Sequence, residues 1–423
     1  MMRPELKVLP NDQAFDVVVV GAGMVGASAA IGLAALGLKI LVVEAFANPA
    51  FVADYSPSYD ARSTALSWGA RDILFQLGVW GDIQLQACPI RSVHVSEQGR
   101  FGVTRMEASE FDQEALGYVV PNQWLGQCLL SRLSADAVPF CAPAKITRIV
   151  PSEDFYTLHL NHDEPALKQV TTRLLVIADG TCSETAALMG IDYETERYGQ
   201  HALIANVSTE LPNLGLAFER FTKTGPIAML PLTESTSSLV WTHNDADIQT
   251  YLGMNDAAFC QRLQHEFGDR LGQIVRCGKR GAYPLRLIRA KEQYRPGVLL
   301  LGNAAHSLHP VAGQGFNLAL RGVAAFLEAI DDANSNRVQR QHTSIGSTEM
   351  LRRFCLARKR DQENSILFSD QLVKIFGSDS QLIGLARDAG LIGLNNMPAI
   401  KSLLARGAMG LAGRKAQFGG RRG

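Results

Sequence analysis

The sequence predicts an α/β protein: a mostly parallel sheet assembled from distant segments, an inserted and mostly antiparallel lobe, and a helical C-terminus. Three observations lead there. A strand–turn–helix–strand unit with a glycine-rich turn occupies residues 15–45. Two more apolar strand-and-turn units recur far downstream, at 174–185 and 298–325. Between them, from about 198 to 290, short alternating runs replace helical periodicity.

Composition narrows the field. The 423 residues carry 41 Lys and Arg against 41 Asp and Glu, so nothing favours a nucleic-acid partner, which would want a basic excess. The seven cysteines are scattered and form no C-x-x-C pair, which fits a reducing compartment and argues against a disulfide framework or a zinc site. No metal site is expected. Residues 17–47 are apolar enough to suggest a membrane span, but glycines at 21, 23, 26, 32 and 37 punctuate them. Acidic residues precede the run and no cleavage site ends it, so a signal peptide is not expected either.

The first unit has a specific physical logic. Val17–Val20 reads as a buried parallel strand. Gly21-Ala22-Gly23-Met24-Val25-Gly26 then completes G-x-G-x-x-G, and a helix opening at Met24 runs to about Leu36 before Gly37. Gly21 allows the tight turn, Gly23 lets backbone approach a pyrophosphate, and Gly26 lets the helix pack on the strand. The helix N-terminus offers N–H groups to the phosphates. Ile40–Val43 is the second strand, and Glu44 at its end can accept both hydroxyls of an adenosine ribose. The bland alternative is a Rossmann-like unit whose glycines serve packing only. The motif by itself leaves NAD and FAD open.

Further along, Tyr59-Asp60-Ala61-Arg62-Ser63 leads into a stretch read as a helix over Thr64–Leu77. Arg62 at that junction can contact phosphate or ribose; otherwise it is a surface arginine. Asn122–Leu133 reads as a helix, and Ala144–Val150 with Phe155–Leu160 as paired strands. Leu174–Ala178 is another buried strand, and it delivers Asp179-Gly180 to the carboxyl edge, where open sheets bind ligands. Alternating runs at Ala202–Val207, Phe218–Thr222, Ile227–Leu230, Ser238–Thr242 and Ala282–Arg286 form the antiparallel lobe. Gly297–Gly302 is a strand again. It runs into His309-Pro310 and Gly313-Gln314-Gly315-Phe316-Asn317, a flexible turn that makes sense where backbone must come close to a ligand. Asn334–Ser347 reads as an exposed loop, and the chain is helical from about Met350. Beyond Asp388 there is no acid; Lys401, Arg406, Arg414 and Lys415 interleave with Leu403, Leu404, Met409, Leu411 and Phe418. The expected division is a discontinuous nucleotide domain (1–80, 120–190 and 290–345), a substrate domain (81–119 and 191–289) and a helical region (346–423).

Taken together, Gly21–Gly26 with Glu44, Asp179-Gly180, and Gly302-Asn303 with His309 to Asn317 resemble the three fingerprints of the class A, p-hydroxybenzoate-hydroxylase-like flavoprotein monooxygenases. Tyr59–Leu66, Ala217–Thr222, Gly225–Pro231 and Gly278–Leu285 are similar to stretches of the ubiquinone-biosynthesis hydroxylases, most of all the 2-octaprenyl-6-methoxyphenol hydroxylase type. The resemblance implies a Rossmann-like FAD-binding domain, FAD as cofactor, and NAD(P)H and O2 as co-substrates. It implies hydroxylation of 2-polyprenyl-6-methoxyphenol to the 1,4-benzoquinol. A paralogous enzyme acting on another ring carbon, a flavin reductase of the same fold and a non-catalytic scaffold are the alternatives.

Residue by residue, the resemblance puts Glu44 on the FAD ribose and Arg62 near the pyrophosphate or flavin. Asn122 stands where relatives have an arginine or glutamine, and Asp179 at FAD and NAD(P)H contacts. Asn303 stands where relatives have an aspartate on the ribityl chain, and Gly313–Phe316 offer backbone to the flavin edge. His309 and Pro310 would frame the flavin face. His243 and Tyr283, in the expected substrate sheet, are weak candidates to assist phenol deprotonation; the bland alternative for each is a packed or surface side chain. A prenylated phenol would be the partner molecule. The acid-free C-terminus is a candidate membrane-surface contact, placing the protein in the cytoplasm at the inner face of the plasma membrane, with association with other ubiquinone-biosynthesis proteins as a further expectation.

Overall fold

The computed structural model describes residues 13–46, 62–222, 225–307, 314–338 and 344–376, and residues 401–402, 405–407, 409–411 and 416–418 of the C-terminal stretch. Tyr59–Ala61, His309, Pro310 and Gly313 lie outside the described residues.

The continuous apolar run Ala14–Val20 forms strand β1, the helix α1 spans Met24–Ala35, and Ile40–Val43 forms β2. β1 lies at the centre of a parallel sheet, with β2 on one side and Gln169–Ile177 on the other. Phe140–Cys141 adds beyond β2, and Val298–Leu300 adds beyond Gln169–Ile177. Five parallel strands from four distant parts of the sequence thus share one sheet, and chain connections leave β1 in opposite directions. That is a topological switch point, where the carboxyl ends of neighbouring strands open a crevice. Val17, Val18 and Val19 are fully buried, which fits a strand covered on both faces.

The second sheet contains nine strands among the described residues, from His306–Ser307 at one edge to Val103–Glu107 at the other. Its pairings are antiparallel except for Leu216–Thr222 against Ser92–Glu97. One face of this sheet carries Leu203, Phe218, Leu239 and Trp241 onto the helix Asp256–Phe267. The other face turns to the nucleotide lobe.

Three expectations are corrected. Thr64–Leu77 is not one helix: Ser63–Ser67 is a strand, β3, paired with Gly117–Pro121, and helix α2 starts at Trp68. Ser67 caps it by accepting a hydrogen bond from the Ala70 N–H at 3.2 Å, so the helix signal began at the cap. The expected loop over Asn334–Ser347 starts too early, because the helix Gln314–Val338 runs through Asn334. Within the expected insertion 81–119, Cys88–Ile90 and Gly117–Pro121 pair with each other beside β3, and Ile83 joins the same core as α1. Ser92–Glu97 and Val103–Glu107 are the strands of that stretch that enter the second sheet.

The C-terminal residues also depart from expectation. Ala405 and Met409 are buried with Ala108 and Leu116, and Leu411 packs on that cluster. The Gly69 N–H donates to the Met409 carbonyl at 2.8 Å, and Lys401 pairs with Glu110 at 2.6 Å. Phe418 packs against the core around α1. Apolar residues expected on an interfacial face therefore turn inward, because a ready apolar surface lies beside α2. Leu403 and Leu404 lie outside the described residues. Met409→Ala should cost about 2–5 kcal/mol of stability in urea unfolding at fixed FAD concentration; a loss below about 0.5 kcal/mol would show that the segment is not docked.

Candidate flavin site

The crevice is built from the glycine turn outward. Gly21 holds φ at +93°, in the left-handed region, and its N–H donates to the Val43 carbonyl at 2.8 Å. A Cβ on Gly26 would lie 1.9 Å from the Gly21 carbonyl oxygen, so only glycine lets the helix start this close to the turn. Gly23 is the N-cap of α1 in an extended conformation with no side-chain cap, Met24 opens the helix, and no acid stands in its first turn. First-turn N–H groups without a capping side chain are what a pyrophosphate requires.

Glu44 ends β2 and reaches back over this turn. One carboxylate oxygen accepts the Ala22 N–H at 2.6 Å and the other accepts the Phe46 N–H at 3.0 Å. Each oxygen keeps a second lone pair for a ribose hydroxyl. Asp179 follows Gln169–Ile177 at the same sheet edge and accepts the Thr185 N–H at 3.4 Å. Its carboxyl opens onto the crevice while protein crowds it, and this partial desolvation raises its pKa. Asn303 is exposed in the short turn Gly302–Ala304; the Gly302 backbone presses on Val25 in the first turn of α1, where a Cβ would come within 2.9 Å of the valine. The third motif is thereby set beside the first.

A second group surrounds β3. The Asn122 N–H donates to the Arg62 carbonyl at 2.8 Å, and the buried Asn122 side chain accepts the Thr64 hydroxyl at 2.6 Å. Asn317 is also buried: its carbonyl oxygen accepts the Ser67 N–H at 2.9 Å and its amide donates to the Ala65 carbonyl at 2.8 Å. Those two bonds clasp the helix Gln314–Val338 to β3, so the Asn317 side chain sets the position of this turn relative to β3. Gly315 and Phe316 occupy the first turn of that helix, and among the described residues nothing lies within 4 Å of the Cβ position of Gly315. A helix N-terminus directed at a flat ring edge would stabilise negative charge there.

His243 and Tyr283 separate. His243 is fully buried on the helix-covered face of the second sheet, with its ring centroid 4.4 Å from Trp241 and 3.8 Å from Tyr251. Burial lowers its pKa to about 4, so it stays neutral in the core and does not face the crevice. Strand alternation turned it away, and sequence could not tell which face was covered. Tyr283 is partly exposed on the other face, with the Arg62 guanidinium 4.7 Å above its ring centroid. Sequence reading assigned no role to Glu219, which also lies on that face; the available signal was a carboxylate at an alternating position inside the run Phe218–Thr222.

Fold and crevice together define a dinucleotide-binding flavoprotein, and the turn, the ribose acid and the open helix end fit FAD. The FAD binding domain family matches residues 14–331. The Ubiquinone hydroxylase UbiL of Rhodospirillum rubrum is 33% identical over 400 residues, covering 94% of this chain and 90% of its own. The 3-demethoxyubiquinol 3-hydroxylase of Escherichia coli is 32% identical over 406 residues, covering 95% of this chain and all of its own. The crystal structure of p-nitrophenol 4-monooxygenase PnpA from Pseudomonas putida shares the fold, with a TM-score of 0.77 at 17% identity over 95% of this chain and 99% of that one. The chain belongs to the FAD binding domain family, among its ubiquinone-hydroxylase relatives, and is an FAD-dependent monooxygenase that uses NAD(P)H and dioxygen.

Glu44→Ala should weaken FAD binding by about 1.5–3 kcal/mol, since charge-assisted hydrogen bonds are lost; unchanged affinity in a folded variant, measured by flavin fluorescence titration, would remove Glu44 from the ribose. Among the described residues a Cβ on Gly315 meets nothing within 4 Å, so Gly315→Val should fold normally. Its flavin content should nevertheless fall, because the valine occupies the space offered to the ring edge. Normal content after purification would place the flavin elsewhere.

Proposed function

We propose that this monooxygenase hydroxylates a polyprenylated phenol, 2-polyprenyl-6-methoxyphenol, to the 1,4-benzoquinol in ubiquinone biosynthesis. The observation that carries the reading is an apolar, partly open strip of the second sheet at the junction of the lobes: Val95, Ala228, Val240 and Ile204 are half-buried although they sit mid-sheet. A flat, apolar ring would lie there, beside the turn that receives the flavin. Bound FAD would supply electron transfer from NAD(P)H and activation of dioxygen. The protein's part is to hold the ring, exclude water and neutralise charge. Val95, Ala228, Val240 and Ile204 would exclude water, and Arg62 over Tyr283 would close one end of the strip.

A second reading keeps the chemistry and moves the ring carbon. It is favoured because the Escherichia coli relative, matched over its whole length, is named a 3-hydroxylase. In either case the prenyl tail partitions into a bilayer. Among the described residues no helix is long and apolar enough to cross a membrane. A cytoplasmic protein working peripherally at the inner membrane face, or beside other enzymes of the pathway, would meet such a substrate.

With NAD(P)H and air, the FAD-loaded protein should convert a short-tailed 2-prenyl-6-methoxyphenol to a product heavier by one oxygen. With labelled dioxygen the label should enter the product. Label taken from water would exclude monooxygenation of this substrate, and hydroxylation at another carbon would favour the second reading.

A further inference from the structure

The strip between the lobes contains one feature that the reading above does not use. Pairing across the sheet sets Val95, Glu219, Ala228, Val240, Ile204 and Gly281 in a single row. Directly paired residues share a face, so their side chains project to the same side. The rows above and below both touch the nucleotide lobe. On one side Ala217 packs in a cluster with Ile90 and Val119, with Ala65 beside it. On the other side Tyr283 lies under Arg62. The row between them stays half-buried along its whole length. A sheet face held to its neighbour at these two points, with a half-buried row between them, leaves room for a ligand against that row. The Ala65 edge of this space is the strand that Asn317 clasps, so that edge lies beside the first turn of the helix Gln314–Val338.

Glu219 is the one carboxylate in that row, flanked across the sheet by Val95 and Ala228. No hydrogen bond or ion pair to it is found among the described residues. A carboxylate enclosed by apolar neighbours is unfavourable for folding unless a ligand uses it. Its place in the strand fixes its direction: Phe218 and Arg220 on either side point to the helix-covered face, where Phe218 meets Phe267 and Arg220 donates to the Glu266 carbonyl at 2.8 Å.

We propose that Glu219 accepts the hydroxyl of the phenol substrate and takes its proton during ring hydroxylation. The proposal rests on the phenol reading above. The step balances without a further reagent. The phenolic O–H breaks, its proton passes to the Glu219 carboxylate, and its electron pair moves into the ring. The activated ring carbon would form a C–O bond to one oxygen of dioxygen as the O–O bond breaks, and the other oxygen leaves as water, the two electrons coming as hydride from NAD(P)H and the remaining proton from solvent. The C–H proton of that carbon then leaves as aromaticity returns, and Glu219 gives its proton back to the phenolate oxygen. Deprotonation activates the ring position opposite the hydroxyl, which is the carbon oxidised on the way to a 1,4-benzoquinol.

Burial raises the Glu219 pKa to about 7, which suits proton exchange near neutrality. The charged or titratable groups sharing this face are few. Glu97, two positions along the neighbouring strand, is paired with Arg100 at 3.2 Å. Tyr283 and Arg62 close the other end. On the covered face His94 is held neutral, its pKa lowered to about 4, chiefly by burial and then by Arg270 and Arg105.

Glu219→Gln and Glu219→Leu test this in the FAD-loaded protein. Both should fold and keep normal flavin content, because neither leaves a charge in that space. Wild-type kcat/KM for a short-tailed 2-prenyl-6-methoxyphenol should rise about tenfold between pH 6 and 8, following the ionised fraction of a group with pKa near 7. Glu219→Gln should lose that limb and at least tenfold of product formation while NAD(P)H oxidation continues uncoupled. In binding titrations without NAD(P)H, the wild type should prefer the phenol to its methyl ether about tenfold, and Glu219→Leu should bind the two alike. Unchanged coupling, pH profile and phenol preference in the variants would overturn the proposal. If the wild type forms no product from any prenylated phenol but the phenol preference is present and vanishes in Glu219→Leu, the substrate reading fails while Glu219 remains the hydroxyl contact.

Discussion

The closest constraint in the molecule is the contact between Gly26 and the carbonyl of Gly21, where a Cβ would stand 1.9 Å from the oxygen. No side chain can be accommodated by a small shift, because the obstacle is backbone. This contact fixes the start of α1 against the end of β1, and the rest of the crevice is referred to it. Further along α1, a Cβ on Gly32 would stand 2.1 Å from Leu327, so the helix carrying the flavin-edge turn beds down on α1. The backbone at Gly302 presses on Val25 in the same helix. The α1 segment and two segments nearly 300 residues further along the chain, at Gly302 and Leu327, are thus held together at positions where a side chain is missing. Interiors are packed densely enough that such contacts transmit position rather than absorb it.

The second lobe is fixed to this frame by different physics. An apolar cluster around Ala217, Ile90 and Val119 excludes water at one contact, and the Arg62 guanidinium stacks on Tyr283 at another. Asn317 ties the two arrangements together, since its bonds to Ala65 and Ser67 hold β3 against the flavin-edge helix. The space against the Glu219 row exists because contact is made on both sides of it. Slipping the strand Leu216–Thr222 by one residue of register within its sheet would turn Phe218 or Arg220 toward the nucleotide lobe and Glu219 under the covering helix.

Local pattern made much of this legible. The span of β1, α1 and β2 followed from a continuous apolar run, a glycine turn and an acid, each of which acts within a few residues. The sheet-edge position of Asp179 followed from the same logic. Elements failed where two local readings compete. Thr64–Ser67 fits a helical period as well as a strand, and only the partner strand Gly117–Pro121, more than 50 residues away, decides for the strand. His243 and Glu219 failed for a related reason. Alternation shows that residues two apart share a face, but which face is covered by a helix and which faces the nucleotide lobe depends on Asp256–Phe267 docking from outside the sheet. The C-terminal basic stretch misled because interleaved apolar residues suit a lipid surface and a protein groove equally. The groove beside Trp68 and Ala108 is invisible until the chain is folded.

The distribution of charge along the crevice follows from where negative charge is tolerable. Its two acids, Glu44 and Asp179, stand at the ends of β2 and of Gln169–Ile177, on the nucleotide side of the turn. The asparagines expected at the flavin, Asn122, Asn303 and Asn317, are amides. Reduced flavin carries its negative charge on the ring, and a nearby carboxylate in a partly desolvated site would oppose that charge far more strongly than in water. An amide keeps a hydrogen-bond acceptor without that opposition. Glu219 is then the exception that needs a reason. It lies on the face of the second sheet toward the nucleotide lobe, burial raises its pKa to about 7, and under the proposal above it becomes neutral on taking the phenol proton. A group that loses its charge when the ring above it reacts can be housed beside an anionic cofactor where a permanently ionised one could not.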